Sequence, residues 1–351
     1  MKKNTVFNRI GWPLFLLAGA VLPLLGLVGK GFTSHILILI LLNAAMAQSW
    51  NLIGGYGGQV SFGHSVFFGI GGYGAAYAVC VSETLPWPGV ILGILIAALV
   101  SVAVSYPCFK LKGHYFAIAT FAIVEVFNRL FMTWDWIGGA LGLDYPILKD
   151  SWKNFTWSRD KRGYYYGALI IFALIFTVIR LVERSRFGYY LRAVREGQET
   201  AESLGVNSTG VKLTAMALSA AMAALCGAFF AQYNYRVDPP TVLSLDMSMK
   251  FVIITILGGI GTFWGPLLGA AVLIPLQEYS RAYLAKLGSG MDLIIFGLII
   301  IIMMEFQPRG IVGISRAIMK RWRRRSASGK VGGGKAVGAP GKGASGKGGA
   351  A

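Results

Sequence analysis

The sequence predicts an all-α integral membrane protein of about ten transmembrane or re-entrant helices, with one further helix that lies in water. The composition is the first observation: 55% of the residues are hydrophobic and 14% are charged, whereas a soluble domain carries roughly 25% charged residues. The second is a set of charge-free runs such as Val90–Val104, which with their flanks approach the ~20 residues that cross a hydrocarbon core. The third is a charged, helix-forming interruption at residues 183–212.

The apolar runs divide the chain into ten predicted spans. These are residues 11–29, 34–53, 63–82, 88–109, 114–132, 164–182, 211–234, 247–264, 266–285 and 291–307. Because the number is even, both termini lie on the same side of the membrane. Lysine and arginine accumulate on the cytoplasmic side of membrane proteins, so the basic C-terminal residues place both termini in the cytosol. The loop 133–163 is then predicted outside, and the loop 183–210 in the cytoplasm.

Residues 316–351 are predicted to form a disordered basic cytoplasmic tail after a transmembrane domain of residues 1–315. The formal net charge of the chain is +18, and ten basic residues lie between Arg316 and Lys347 without an acid among them. The Gly, Lys, Ala and Ser composition of this stretch cannot bury apolar area. We expect the tail to be attracted to anionic membrane lipid and not to nucleic acid, because no aromatic residue alternates with its charges after Trp322.

Glycine is concentrated in two blocks, residues 54–77 and 257–270. Small residues let membrane helices pack closely, and they also permit broken or re-entrant backbone where that backbone lines a cavity. The sequence favours neither interpretation over the other. Each block carries a Gly-x-Gly step followed by an aromatic residue and a glycine, which hints at a structural repeat.

Glu125 is the clearest ionisable residue inside a predicted span. A charge within the membrane is a functional candidate by default. Arg129 follows four residues later, so the two side chains share a helix face and can form an ion pair. We favour this structural pairing over a direct contact of Glu125 with a transported molecule.

The charged interruption has the pattern of an amphipathic helix from about Tyr189 to Leu204, ending at Gly205. Its apolar side is predicted to carry Leu191, Val194, Ala201 and Leu204, and its polar side to face water or a partner through Arg192, Arg195, Glu196, Glu199 and Glu202. The pattern fits a docking element and a plain solvated connection equally well.

The residues Glu199-Thr200-Ala201, followed three residues later by Gly205, resemble the E-A-A-x3-G cytoplasmic loop of ATP-binding-cassette importer permeases. Thr200 departs from that pattern, where alanine is usual. The stretches at 51–73, 114–130, 191–213, 237–270 and 307–313 are similar to the M-type permease of branched-chain amino acid transporters. The resemblance covers nearly all of residues 35–315 and leaves the basic tail outside it.

The resemblance implies a permease subunit of an ATP-driven importer that moves branched-chain or other hydrophobic amino acids across the bacterial inner membrane. Its implied partners are two ATPase subunits, which carry the ATP and Mg²⁺, a second related permease and a periplasmic amino acid binding protein. ATPase closure would tilt the docked helix and move the spans. The predicted coupling residues are Arg192, Arg195, Glu196, Glu199, Ala201 and Gly205. The predicted pathway candidates are Gly57, Ser61, Phe62, Gly63, His64, Glu125, Gly259 and Gly261.

Two alternative functions stay open. A related permease for urea or short amides carries the same loop and glycine blocks, and a stand-alone channel or carrier would move its substrate without partners. An enzyme is disfavoured, because the sequence offers no catalytic spacing, no metal-ligand spacing and no cofactor motif. The nearest approach to a phosphate-binding loop, from Gly341 to Lys347, has Gly348 where the motif needs Ser or Thr.

Overall fold

A computed structural model of the chain describes residues 19–21, 23, 31–111, 113–146, 150–151, 153–157, 160–284, 297–298 and 311. Most of these residues are helical. The helices are α1 Phe32–Asn51, α2 His64–Cys80, α3 Pro86–Cys108, α4 His114–Thr133, α5 Arg162–Arg184, α6 Arg186–Glu196, α7 Gln198–Ser203, α8 Ser208–Asn234, α9 Pro239–Val242, α10 Leu245–Gly258 and α11 Gly265–Leu284. The π-helical turn Leu52–Tyr56 continues α1, and the short 3-10 helices Asp135–Ile137 and Gly139–Leu141 follow α4.

Within the described residues, six helical segments are long and apolar enough to cross a membrane. They are Phe32–Tyr56, Pro86–Cys108, His114–Thr133, Arg162–Arg184, Ser208–Asn234 and Pro239–Gly258. The first five agree closely with predicted spans, whereas the predicted span 247–264 runs past the end of α10 at Gly258. The predicted spans 63–82 and 266–285 are the helices α2 and α11. The predicted spans 11–29 and 291–307 and the tail 316–351 lie largely or wholly outside the described residues, so the count of about ten spans stays a prediction.

Helix α2 is the centre of the packing, because its small residues let its neighbours approach closely. A Cβ atom added to Gly71 would lie 2.0 Å from the backbone oxygen of Ala224 in α8, and one added to Gly227 would lie 1.8 Å from the oxygen of Phe68. A Cβ atom on Gly74 would meet the backbone of α3 in the same way, at 2.8 Å. This part of the first glycine block therefore serves tight helix packing.

A two-stranded antiparallel ladder marks one end of the helices. Strand β1, Leu143–Asp144, pairs with β2, Arg236–Val237, which follows α8 directly. The Cys80 thiol at the end of α2 lies 3.3 Å from the backbone oxygen of Asp144. The ends of α2 and α8 and the predicted outer loop therefore lie together, and we call this side the ladder end.

The charged interruption differs from the single helix that the sequence predicts. Gly197 has an extended backbone, with φ −176° and ψ 107°, and it separates α6 from α7. Helix α6 also begins earlier than predicted, where the Ser185 side chain accepts a 3.3 Å hydrogen bond from the backbone of Gly188. The predicted apolar side is correct for Leu191, Val194 and Ala201, which are buried. It is wrong for Leu204, which is 81% exposed because α7 ends at Ser203.

Candidate functional site

Each glycine block contains a break in the helical backbone. The first break, residues 57–63, separates the π-helical turn after α1 from α2. The second break, residues 259–264, separates α10 from α11. The blocks therefore combine both functions that the sequence left open, tight packing within α2 and an interruption at each break.

Asn51 ties the end of α1, which leads into the first break, to the second break. Its side-chain oxygen accepts a 2.8 Å hydrogen bond from the backbone nitrogen of Gly261, and its side-chain nitrogen donates a 3.1 Å hydrogen bond to the backbone oxygen of Thr262. The backbones also meet directly, since a Cβ atom on Gly55 would lie 2.6 Å from the Gly261 nitrogen. Gly261 itself has φ +68°, a conformation that residues with a side chain rarely adopt. The geometry of the two breaks is thus interdependent.

Arg195 of α6 lies against both breaks. Its Nη1 atom donates a 2.6 Å hydrogen bond to the backbone oxygen of Gly55. A Cβ atom on Gly261 would lie 2.8 Å from the same Nη1 atom, and one on Gly58 would lie 2.8 Å from the Arg195 Cγ atom. The prediction that Arg195 faces water or a partner is therefore incomplete: its side chain is exposed, but its guanidinium group also contacts the membrane helices. We call the side that holds α6 and the two breaks the break end.

Arg192 fastens α6 to the end of α5. Its Nη2 atom lies 3.4 Å from the Glu183 carboxylate and donates a 3.3 Å hydrogen bond to the Glu183 backbone oxygen. Its guanidinium carbon also lies 5.7 Å from the ring centre of Tyr56 in the π-helical turn, within the range of a cation–π contact. Arg192 and Arg195, which were both predicted on the polar side of the helix, thus both attach α6 to the membrane helices.

The other predicted coupling residues lie on the surface of α6 and α7, apart from Ala201. Glu196 and Glu199 are exposed, whereas the Ala201 side chain is 3% exposed and packs inwards. Gly205 has φ +83°, and a Cβ atom on it would meet nothing within 4 Å. Glycine is needed at this position for its backbone conformation and not for space.

A polar network that the sequence analysis missed ties α7 to the start of α8. The buried Lys212 ammonium group donates a 2.7 Å hydrogen bond to the side-chain oxygen of Gln198. The Gln198 amide donates a 3.0 Å hydrogen bond to the Glu202 carboxylate, which also accepts one from the Ser208 hydroxyl. Only the close approach of α7 and α8 brings these residues together.

The first break is anchored to two helices by its backbone. The Trp50 indole nitrogen donates a 2.6 Å hydrogen bond to the backbone oxygen of Ser61. The backbone nitrogen of Phe62 donates a 3.0 Å hydrogen bond to the Thr120 hydroxyl on α4. The pathway candidates Ser61 and Phe62 therefore lie between α1 and α4, and Ser61 is buried.

His64, at the start of α2, is fully buried. Its Nε2 atom lies 2.8 Å from the Ser219 hydroxyl on α8, and that hydroxyl donates a 2.5 Å hydrogen bond to the backbone oxygen of Ser49 on α1. The pathway candidate His64 thus makes a hydrogen-bonding contact at the start of a helix. A chain of hydrogen bonds thus links α2, α8 and α1 next to the first break.

Glu125 lies apart from the breaks, on an exposed face of α4. Its carboxylate is 3.2 Å from the Arg129 Nε atom, and the two side chains are 57% and 74% exposed. The predicted i,i+4 ion pair is confirmed. The structure does not bring Glu125 together with the other pathway candidates, which lie at the break end.

Comparisons with known proteins show which family and which relatives this chain resembles. The family described as the permease component of branched-chain amino acid transport systems matches residues 32–304. The high-affinity branched-chain amino acid transport system permease protein LivM of Escherichia coli is 27% identical over 337 residues, which cover 88% of this chain and 76% of that protein. LivM of Salmonella typhimurium is 26% identical over 335 residues, covering 89% and 74%. LivH of Salmonella typhimurium is 24% identical over 287 residues, covering 77% and 91%. No solved structure matches the chain.

Proposed function

This chain belongs to the family of permease components of branched-chain amino acid transport systems, and we propose that its α6–α7 segment couples it to the ATPase subunits of an importer. It is a multi-pass membrane permease of the transport type, with LivM and LivH among its relatives. The existence of two related permeases, LivM and LivH, supports a complex that contains a second permease beside this one. We propose that two ATPase subunits and an external binding protein complete it.

The contact of Arg195 with both breaks is the main support for the coupling proposal. Helix α6 is short and packs its apolar face inwards through Leu191 and Val194. A partner that pushed or tilted α6 would therefore move the Arg195 guanidinium group and, through its hydrogen bond, the Gly55 backbone. Because Gly261 lies against the same group, both helix breaks would respond to one motion.

The surface of the segment supports a docked partner. Tyr189, Tyr190 and Leu204 are 64%, 46% and 81% exposed. Tyr190 and Leu204 line an open groove of about 390 Å³ beside Gly205, with Phe187 and Val211 among its other walls. Apolar surface next to the charged Glu196 and Glu199 is typical of a protein–protein interface, whose apolar centre has a polar rim.

This proposal sets the orientation of the chain. If an ATPase holds the break end, that end is cytoplasmic, and the ladder end faces the binding protein on the outside of the bacterial inner membrane. Trp136 is 61% exposed at the ladder end, beside Trp134. Exposed tryptophans of this kind suit a membrane–water interface.

Transport by the complete complex tests the proposed function. The two permeases, the ATPases and the binding protein are reconstituted in proteoliposomes, and uptake of radioactive leucine and urea is measured with and without ATP. We expect ATP-dependent leucine uptake. Urea uptake without leucine uptake would instead establish the amide alternative, and leucine flux through the purified chain alone, without ATP, would establish a channel or carrier.

A further inference from the structure

A cavity of about 190 Å³ lies among α1, α2, α8, α10 and α11, away from the breaks. Its lining residues come from α1 between His35 and Met46, from Phe68 near the start of α2, from the end of α8 that leads to β2, from the first half of α10 and from the second half of α11. The cavity therefore lies mainly in the ladder-end half of the helices and reaches towards their middle at Met46 and Phe68. It is smaller than the ~300–1,000 Å³ of pockets for drug-sized ligands, so it fits a small metabolite.

The cavity is lined by positively charged and by negatively charged side chains. Lys250 from α10 and Arg281 and Glu278 from α11 line it. The Glu278 carboxylate lies 3.8 Å from the Nε2 atom of His35, which also lines the cavity. Among the described residues, two basic side chains and one acid thus face one small volume, and this excess of positive charge favours a ligand with a carboxylate.

In the part of the chain that the structure describes, Lys250 makes no hydrogen bond and no ion pair, and Glu278 acts on its charge only from a longer distance. The side-chain oxygen of Gln277, another lining residue, is buried and likewise has no hydrogen-bond partner among the described residues. A charge inside a membrane domain is costly unless it is paired. A bound molecule that forms a hydrogen bond with the Lys250 ammonium group and another with the Gln277 oxygen would explain why both groups are there.

The remaining lining residues are Asn43 and Asn234, which are polar, and an apolar wall. The wall consists of Leu39, Leu42 and Met46 from α1, Phe68 from α2, Phe230 from α8 and Met247 and Phe251 from α10. An aliphatic side chain would bury its surface against these residues, a contact that is favourable in proportion to the area removed from water. The cavity thus offers an apolar wall beside two opposite charges.

We propose that this cavity binds an aliphatic α-amino acid as a zwitterion, with Lys250 at its carboxylate, Glu278 at its ammonium group and the apolar wall at its side chain. The inference rests on the proposed function and deepens it by naming a substrate site within this one subunit. Urea has neither a carboxylate nor an aliphatic side chain and would leave Lys250 without a partner.

The experiment compares Lys250→Met with Lys250→Arg and Lys153→Met in the complete reconstituted transporter. Lys153 is an exposed lysine in the predicted outer loop, so Lys153→Met makes the same chemical change outside the cavity. Loss of one charge-assisted contact is expected to reduce leucine uptake roughly tenfold or more in Lys250→Met. Lys250→Arg should retain most of the uptake, Lys153→Met all of it, and the ATPase activity of each complex should persist.

A second measurement detects binding in a chain that retains the native Lys250. Asn43 lines the same cavity, and Asn43→Cys introduces a thiol whose alkylation rate is compared with that of the unmodified transporter. Millimolar leucine should slow alkylation of this thiol in nanodiscs of neutral lipid, while urea should not. Protection that depends on anionic lipid and not on leucine would overturn the proposal, because a lipid headgroup would then be the source of the anion.

The outcomes separate the two proposals. Wild-type leucine uptake with equal uptake by Lys250→Met would overturn the cavity site and leave the importer function intact. A wild-type complex without leucine uptake would overturn the importer function itself. If Lys250→Met fails to assemble, leucine protection of the Asn43→Cys thiol still decides the question.

Discussion

The Arg195 Nη1 atom donates a 2.6 Å hydrogen bond to the backbone oxygen of Gly55, which lies 140 residues earlier in the sequence. Gly55 belongs to the π-helical turn at the end of α1, where backbone carbonyl groups lose their usual helical partners. A guanidinium group is suited to such a carbonyl, because its planar donors hold a fixed direction. One side chain thus connects the polar α6 segment to the backbone of the membrane domain.

Arg195→Met is expected to uncouple ATP hydrolysis from transport, since it removes the hydrogen bond while keeping much of the side-chain volume. Leucine uptake per ATP hydrolysed by the reconstituted complex should fall roughly tenfold, the scale of one lost charge-assisted contact. Arg186→Met is the matched control, because Arg186 lies on the same helix and is exposed. Equal coupling ratios in the two variants would contradict the role of Arg195.

Gly55→Ala is expected to destabilise the transporter. The added Cβ atom would lie 1.9 Å from the Asn51 side-chain oxygen and 2.6 Å from the Gly261 nitrogen, so the π-helical turn and the second break would have to separate. Overpacking of this kind costs about 1–3 kcal/mol. Gly63→Ala is the control, because its Cβ atom would meet nothing closer than 3.5 Å. The measurement is the melting temperature of the purified complex, and equal melting temperatures for the two variants would refute the close contact.

Gly205→Pro is expected to abolish ATP-driven uptake while the chain still inserts into the membrane. Proline holds φ near −65°, whereas Gly205 has φ +83°, and proline also removes the 2.9 Å hydrogen bond from the Gly205 nitrogen to the Glu202 oxygen. Gly205→Asn should retain uptake, because asparagine tolerates the left-handed region. Immunoblots of membranes monitor insertion. Normal transport by the proline variant would mean that this turn plays no part in coupling.

The proposed orientation predicts opposite labelling of two engineered cysteines. Leu204→Cys at the break end should react with a membrane-impermeant maleimide only in inside-out vesicles, and Trp136→Cys at the ladder end only in right-side-out vesicles. Both parent side chains are well exposed, at 81% and 61%. The unmodified chain, with its own Cys80, Cys108 and Cys226, provides the background. The reverse pattern would place α6 and α7 outside and exclude an ATPase as their partner.

Local sequence patterns predicted several elements correctly. The charge-free run Val90–Val104 lies inside α3, because length and apolarity alone decide whether a segment suits a bilayer. The Glu125–Arg129 pair follows from helical geometry. The apolar spacing revealed neither the extended backbone at Gly197, which separates two helices, nor the end of α7 at Ser203, which leaves Leu204 exposed. A glycine inside a helical pattern is tolerated often enough to be overlooked.

The class of the protein, the position of most of its helices and its resemblance to a transport family follow from hydrophobic runs and motifs that are contiguous in the chain. Helix packing was needed to show that Arg195 contacts both glycine breaks and that Lys250, Glu278 and His35 line one cavity. Those contacts join residues that are far apart in the sequence. They exist only after close helix packing brings their side chains within a few ångströms, and no local pattern encodes that approach.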